Sequence, residues 1–381
     1  MADLLDRMIP AGSDQPTSGT PSATIASKNP HPDGLFRLSP LSLRRLWLVV
    51  PALCALAYPS LLGLLSSGLV LVHGSASPNG TIVGVSAIAS LTLALAVMLV
   101  SFVFGLSLGS PHIGEEEPEG YRARNVAHLA FATPSLYVGF ENVAGVLQSS
   151  AAPIAWLIFW ALVAMMVLLG PSPSPMAAAM TPVGHRRLGL AHGVSASAIL
   201  LLFVGPHIVN HVAAFWSGQL HIAIMNVVRR VYRDDTVQPV LLALIGFQIL
   251  SGTALLRRRM RMPGDFFGTV QTMCGAYIGI YFLAHMTAVF TARHAGIDTN
   301  WSWLTRPNDS LLVSLTKLRL IAHYWAGPIA IVAHVACGLR WILLQRDISP
   351  ATADRTAWAL IAVGVLASSI ILLALLNVHI A

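Results

Sequence analysis

The sequence predicts an all-α integral membrane protein of about nine transmembrane helices. Three observations lead there. Of the 381 residues, 55% are hydrophobic and only 10% charged, with a mean hydropathy of +0.69, a balance outside the soluble range. The apolar residues gather in runs close to the ~20 that cross ~30 Å of hydrocarbon. The basic residues behind the formal charge of +7 sit mainly in short loops between those runs. There they set orientation, so the charge implies a lipid bilayer and no nucleic-acid partner. Cys54, Cys274 and Cys337 are scattered through apolar segments, with no CxxC or Cys/His cluster. Iron–sulfur and structural zinc sites on this chain are therefore not expected.

Residues 1–44 are polar and rich in Pro, Ser, Thr and Gly, and read as a disordered cytoplasmic tail without a secretory leader. Apolar runs follow at 46–72, 82–109, 126–148 and 153–170, a four-helix membrane extension over 45–170. The Pro/Ser/Ala stretch that starts at Pro171 is a linker over 171–186. Runs at 188–215, 237–256, 267–292, 320–344 and 356–378 then make a five-helix bundle over 187–381. Between its first two helices, Gln219–Tyr232 has the pattern of a short interfacial amphipathic helix. Arg229, Arg230 and Arg233 there would contact anionic lipid or haem propionates. Arg44 with Arg45, Arg122 with Arg124, His185–Arg187, Arg257–Arg259 with Arg261, and Arg346 with Arg355 occupy alternate loops. The positive-inside rule makes their side, and the N-terminus, cytoplasmic, in a cytoplasmic (inner) membrane. A weak similarity relates Val126–Gly145 to Leu190–His211, with His128 answering His192 and Phe140 standing where His207 does. Duplication and chance explain it equally well.

Ionisable side chains inside membrane helices are costly and mark a bundle interior where something needs them. The run 188–215 carries three: His192, His207 and His211. At ~1.5 Å per residue, His207 lies about 30 Å along from Arg187, towards the outer face. His285 lies well along the next helix of the same direction, so the two can share an outer layer. On helices running the other way, Gln248 and His334 fall near the inner end. A six-coordinate haem iron takes one imidazole from each of two facing helices at one depth. Small residues such as Gly205, Gly275 and Gly279 let a flat macrocycle approach. The outer layer meets that requirement; the inner layer has one histidine. His211, one turn from His207, is an alternative ligand. Structural histidines that only hydrogen-bond between helices are the competing reading.

At this point the chain resembles a known family. Residues ~186–380 resemble the cytochrome b membrane-anchor subunit of succinate dehydrogenases and fumarate reductases, the succinate:quinone oxidoreductases. Four motifs in order carry the resemblance: His192 followed by His207–His211 (HIVNH); Phe247 to Gly252 (FxxxxG); Gly275 ten residues before His285; and His334, Gly338, Leu339 and Trp341 (HxxxGLxW). The resemblance implies that His207 and His285 hold the haem b distal from the catalytic subunits. It also implies that the helix of Gln248 and His334 carry the ligands of a proximal haem. Gln248 departs from the pattern, which leaves one haem b expected and His334 as a possible inner-layer ligand. The front four helices lie outside the pattern too.

The implied function is electron transfer between a quinone pool and a partner made of flavoprotein and iron–sulfur subunits, or another membrane complex. The chain itself shows no dicarboxylate catalytic site. Asp234, Asp235 and Gln238, at the entrance of the 237–256 helix, are the quinone-site candidates. His192 reads as loop-proximal or in contact with a propionate, His323 as lying at the outer interface, and Glu141 and Asn142 as interhelical hydrogen-bonding groups. The alternative is a haem-poor structural or assembly subunit of a respiratory membrane complex, which Gln248 and the front helices favour. A transporter lacks support, since no Gly/Pro-broken helix pair recurs in corresponding halves.

Overall fold

The computed structural model describes residues 46–73, 80–109, 118–170, 182–260, 262, 264–305, 311 and 317–380. The expected tail over 1–44 lies outside these residues, as does the expected linker up to residue 181. All regular structure among the described residues is helical. The front half holds α1 (Val50–His73), α2 (Gly80–Ser107), α3 (Pro118–Phe131), α4 (Thr133–Val146) and α5 (Ala152–Leu169). The back half opens with α6 (Pro182–Ile199), which runs through a π-helical turn (Leu200–Val204) into α7 (Gly205–Ala213). It continues with α8 (Gly218–Tyr232), α9 (Val237–Arg259), α10 (Phe266–His294), α11 (Trp301–Leu304), α12 (Leu318–Leu344) and α13 (Pro350–Leu375).

Among the described residues, eight helices are long and apolar enough to cross a membrane, with α6, the π turn and α7 counted as one. The ninth expected span, 126–148, is the exception. It is broken at Ala132 because Pro134 brings no N–H and its ring crowds the preceding turn. Thr133 Oγ1 donates to Ala130 O at 2.7 Å and so satisfies a carbonyl at the break. The break yields α3 and α4, and α3 starts early enough to enclose Arg122 and Arg124, which the sequence had placed in a loop.

Both arginines are buried. Arg122 donates to Val167 O at 3.1 Å, in the last turn of α5. Arg124 donates to Met260 O at 3.1 Å and Met262 O at 2.7 Å, just past the end of α9. Helix C-termini present unpaired carbonyls with partial negative charge, so guanidinium groups are apt partners there. The bond from Gly264 N to Gly109 O, 3.1 Å, joins the same loops. The second and sixth loops therefore lie at one end of the molecule, as the alternation of basic loops requires.

The front half is no separate body. Its core is aromatic, with Trp156 and Trp160 fully buried and Trp156 Nε1 donating to Ala55 O at 3.1 Å. Its α4 packs against α10 and α12, and its α2 against α12. Polar groups pin that junction: Asn142 Nδ2 donates to Ala284 O at 2.8 Å, and Ser90 Oγ to Leu318 O at 3.0 Å. Asn142 is thus the interhelical group that the sequence suggests. Glu141 bonds within its own helix, accepting from the Tyr137 hydroxyl. Leu201, Leu250 and Leu366 point outward, the surface a bilayer requires.

Candidate functional site

The back bundle brings histidines together at both ends. "Outer" denotes the end near α8, "inner" the end where Arg124 meets the α9–α10 loop.

The outer layer begins with the π turn. Pro206 cannot donate to Leu202 O, and its ring would strike that carbonyl in a regular α-helix. The chain responds by widening: Gly205 N bonds to Leu200 O, one residue further back than in an α-helix. A Cβ on Gly205 would sit 2.8 Å from that oxygen, so the widened turn requires glycine. Such bulges recur at functional sites because they re-aim the side chains beyond them. Here His207 follows directly. Its ring centre lies 6.2 Å from that of His285 on α10, with the planes 71° apart. Aromatic stacking orients both rings: Phe203 lies 5.2 Å from His207 and Tyr281 lies 5.7 Å from His285.

Around that pair sits a polar rim. His211 lies 4.6 Å from His207 and 5.0 Å from His221 on α8. Asn210 Nδ2 donates to His221 Nε2 at 3.1 Å, which leaves the His221 proton on Nδ1. Trp301 covers His221 at 4.7 Å. Burial pushes the His221 imidazole down to about 4, and Arg229 adds to this. Arg229 itself binds Asp298 Oδ1 and Thr299 O, each at 2.7 Å, and latches α8 to the loop after α10. His323, expected at the outer interface, is buried instead, with Nδ1 3.0 Å from Ser135 Oγ. The front-half helix α4, which lies outside the motif pattern, is what covers it.

The inner layer differs from expectation. His334 does not face Gln248; its ring centre lies 6.4 Å from His192, with the planes 78° apart. Gln248 is a support, donating to His192 O at 2.7 Å and to Ser195 Oγ. His192 Nδ1 lies 2.8 Å from Ser251 Oγ, and His334 Nδ1 lies 2.9 Å from Gln271 O. His192, read from the sequence as loop-proximal or in contact with a propionate, is thus the residue that faces His334. A signal existed, because His192 stands five residues after Arg187, at the depth of His334.

The quinone-site candidates are not gathered round either pair. Asp234 Oδ1 accepts the backbone N–H groups of Thr236 and Val237 at 2.9 and 3.2 Å, closing the turn into α9. Asp235 is exposed, and Gln238 accepts from Arg293 at 3.3 Å. A cavity of ≈ 260 Å³ opens elsewhere, beside His285, between α4, α10, α11 and α12. His323, Tyr324 and Trp303 also line it.

An iron held between two imidazoles by bonds of about 2 Å sets the ring centres about 6 Å apart. Both pairs fit that spacing. Among the described residues no group of three or more His, Cys, Asp or Glu side chains is placed to hold a bare metal ion. A two-ligand axial arrangement, as in a haem, is one that these residues could serve. Comparisons with family models, with curated proteins and with solved structures return no match. The motif resemblance rests on this chain's residues alone.

Proposed function

We propose that the chain is a membrane cytochrome b-like subunit that holds haem b between His207 and His285. In this reading it passes electrons between a quinone pool and a succinate dehydrogenase- or fumarate reductase-type partner, in the cytoplasmic membrane with its N-terminus inside. The observation that carries the reading is the pair itself: two imidazoles on separate helices of one bundle, 6.2 Å apart between ring centres. The haem would supply the one-electron chemistry, and the protein's share is to hold its axial ligands and set its potential. Phe203 and Tyr281 fix the orientation of the two rings. Both rings are partly buried in the bundle, and His285 borders the cavity between α4, α10, α11 and α12. The cavity beside His285 replaces Asp234, Asp235 and Gln238 as the proposed quinone position. Tyr324, whose ring centre lies 6.5 Å from that of His285, lines it and would be the donor for a quinone carbonyl.

The test is a reduced-minus-oxidised absorption spectrum of the purified protein, made with haem in ample supply, together with a pyridine haemochrome count. A b-type spectrum is expected, and His207→Ala and His285→Ala should each lower the count by one haem per chain. Protein without haem would overturn the reading and favour the structural or assembly subunit.

A further inference from the structure

We infer that His192 and His334 are the axial ligands of a second haem at the inner end of the same bundle. The inference rests on the reading of the outer pair as a haem site and extends it. It departs from the ligand set that the motif resemblance implies, because α6 takes the place of α9 as the helix facing α12.

The hydrogen bonds decide the tautomers. Ser251 Oγ donates its proton to Phe247 O at 2.6 Å, so toward His192 Nδ1 it can only accept. Gln271 O, a carbonyl, can only accept from His334 Nδ1. Both imidazoles therefore carry their proton on Nδ1, and each keeps the lone pair of Nε2. In that state neither ring can donate to the other, so a direct His–His hydrogen bond cannot explain the 6.4 Å pairing. Two lone-pair donors brought together at a bundle interior call for a cation or a bound donor between them. An imidazole anchored through Nδ1 to an acceptor, with Nε2 free, is the usual state of a metal-ligating histidine.

Glycines on α9 and α10 let the two imidazoles lie close to the neighbouring helices. Bare backbone lies against both rings. A Cβ on Gly275 would come 2.9 Å from His334 Cε1, and one on Gly252 would come 3.3 Å from His192 Cε1. Gln248, on the helix where the resemblance puts a ligand, is instead committed to His192 O and Ser195. It holds the segment of α6 that presents His192. Fifteen residues separate His192 from His207, so the two sites stand about 22 Å apart along the helix. That separation puts one redox position near each end of the bundle.

The experiment is a haem count on the full chain, read with ligand-swap spectra. Wild type should hold two haems. His192→Ala and His334→Ala should each leave one, and the His207→Ala/His285→Ala double variant should retain the inner one. His192→Met guards against mere misfolding. A residue that coordinates iron should give a haem of altered optical spectrum and raised potential, since a thioether ligand raises it, with the count still at two. Two outcomes would overturn the inference and leave the proposed function standing. One is a wild type with a single haem, lost in His207→Ala and unchanged in His192→Ala. The other is two haems with one lost in His334→Ala and none in His192→Ala, which would give His334 another partner. Absence of any haem would overturn both readings.

Discussion

The two imidazole pairs have nearly the same ring separation, yet they are held by opposite means. The inner rings are anchored by hydrogen bonds through Nδ1, to Ser251 and to the Gln271 carbonyl. The outer rings are oriented by stacking on Phe203 and Tyr281, with His207 aimed by the π turn before it. An acceptor on Nδ1 makes imidazole a stronger electron donor to a metal and fixes its tautomer; an aromatic face does neither. If both pairs hold haem as proposed, the inner position should hold ferric iron better and titrate at the lower potential. The front half offers a third case. His128 is more deeply buried than any of the four, but its Nδ1 turns to Arg124 O of its own helix at 2.9 Å, and among the described residues no second imidazole faces it. A buried histidine alone is a core residue. It is the facing partner that changes the reading.

The largest effect should come from Gly275→Val. Its Cβ alone would meet the His334 ring at 2.9 Å, and the ring is held by the bond to Gln271 O. We expect loss of the inner haem, half of the haemochrome signal, with the outer haem unchanged. Gly279→Ala, one turn on, meets nothing within 4 Å and should leave both haems in place. Equal loss in the two variants would show that the bundle packs differently from this description.

A smaller effect is expected of Ser251→Ala, which keeps the fold and removes the acceptor for His192. Loss of such a partner costs about 10- to 100-fold in metal affinity. Potentiometric titration should show the inner step moved up in potential and the outer step fixed. Movement of the outer step alone would reverse the comparison.

Much of this was legible in the sequence. Eight spans appear within about six residues of their expected ends, because apolar length largely sets them. The outer pair was legible too, since His207 and His285 share a depth on helices of like direction. Three things were not. The break at Ala132 was signalled by Pro134 but overridden by the apolar run around it. The π turn follows from Pro206 next to Gly205, a local conflict that periodicity does not register. His192 and His334 face each other because α6 packs on α9 while α12 packs on α10, a tertiary fact. Along α9 the inner end offers only Gln248, which no sequence pattern replaces with His192. The burial of His323 is tertiary as well, since it depends on the covering helix α4.

The smallest effect concerns the outer rim and its pH dependence. His221 sits on α8 against His211, Trp301 and Asn210, with Arg229 on the same helix, and its imidazole titrates at about 4 rather than 6.5. A released α8 would expose His221 and let it take up a proton between those values; the packed helix would not. Falling pH therefore favours release and rising pH restores packing, the sign for a histidine held neutral by burial. The full shift corresponds to about 3 kcal/mol, though only part of it is drawn on at pH 5. Hydrogen exchange along residues 218–232 should speed up from pH 7 to pH 5 after correction for intrinsic rates. His221→Gln, which cannot titrate, should flatten that dependence while exchange around Ser251 and Gln271 stays as it was. If α8 exchanged alike at both pH values in the wild type, the Arg229–Asp298 latch would be carrying the helix. The pH sensitivity of the outer layer would then have to be sought away from His221.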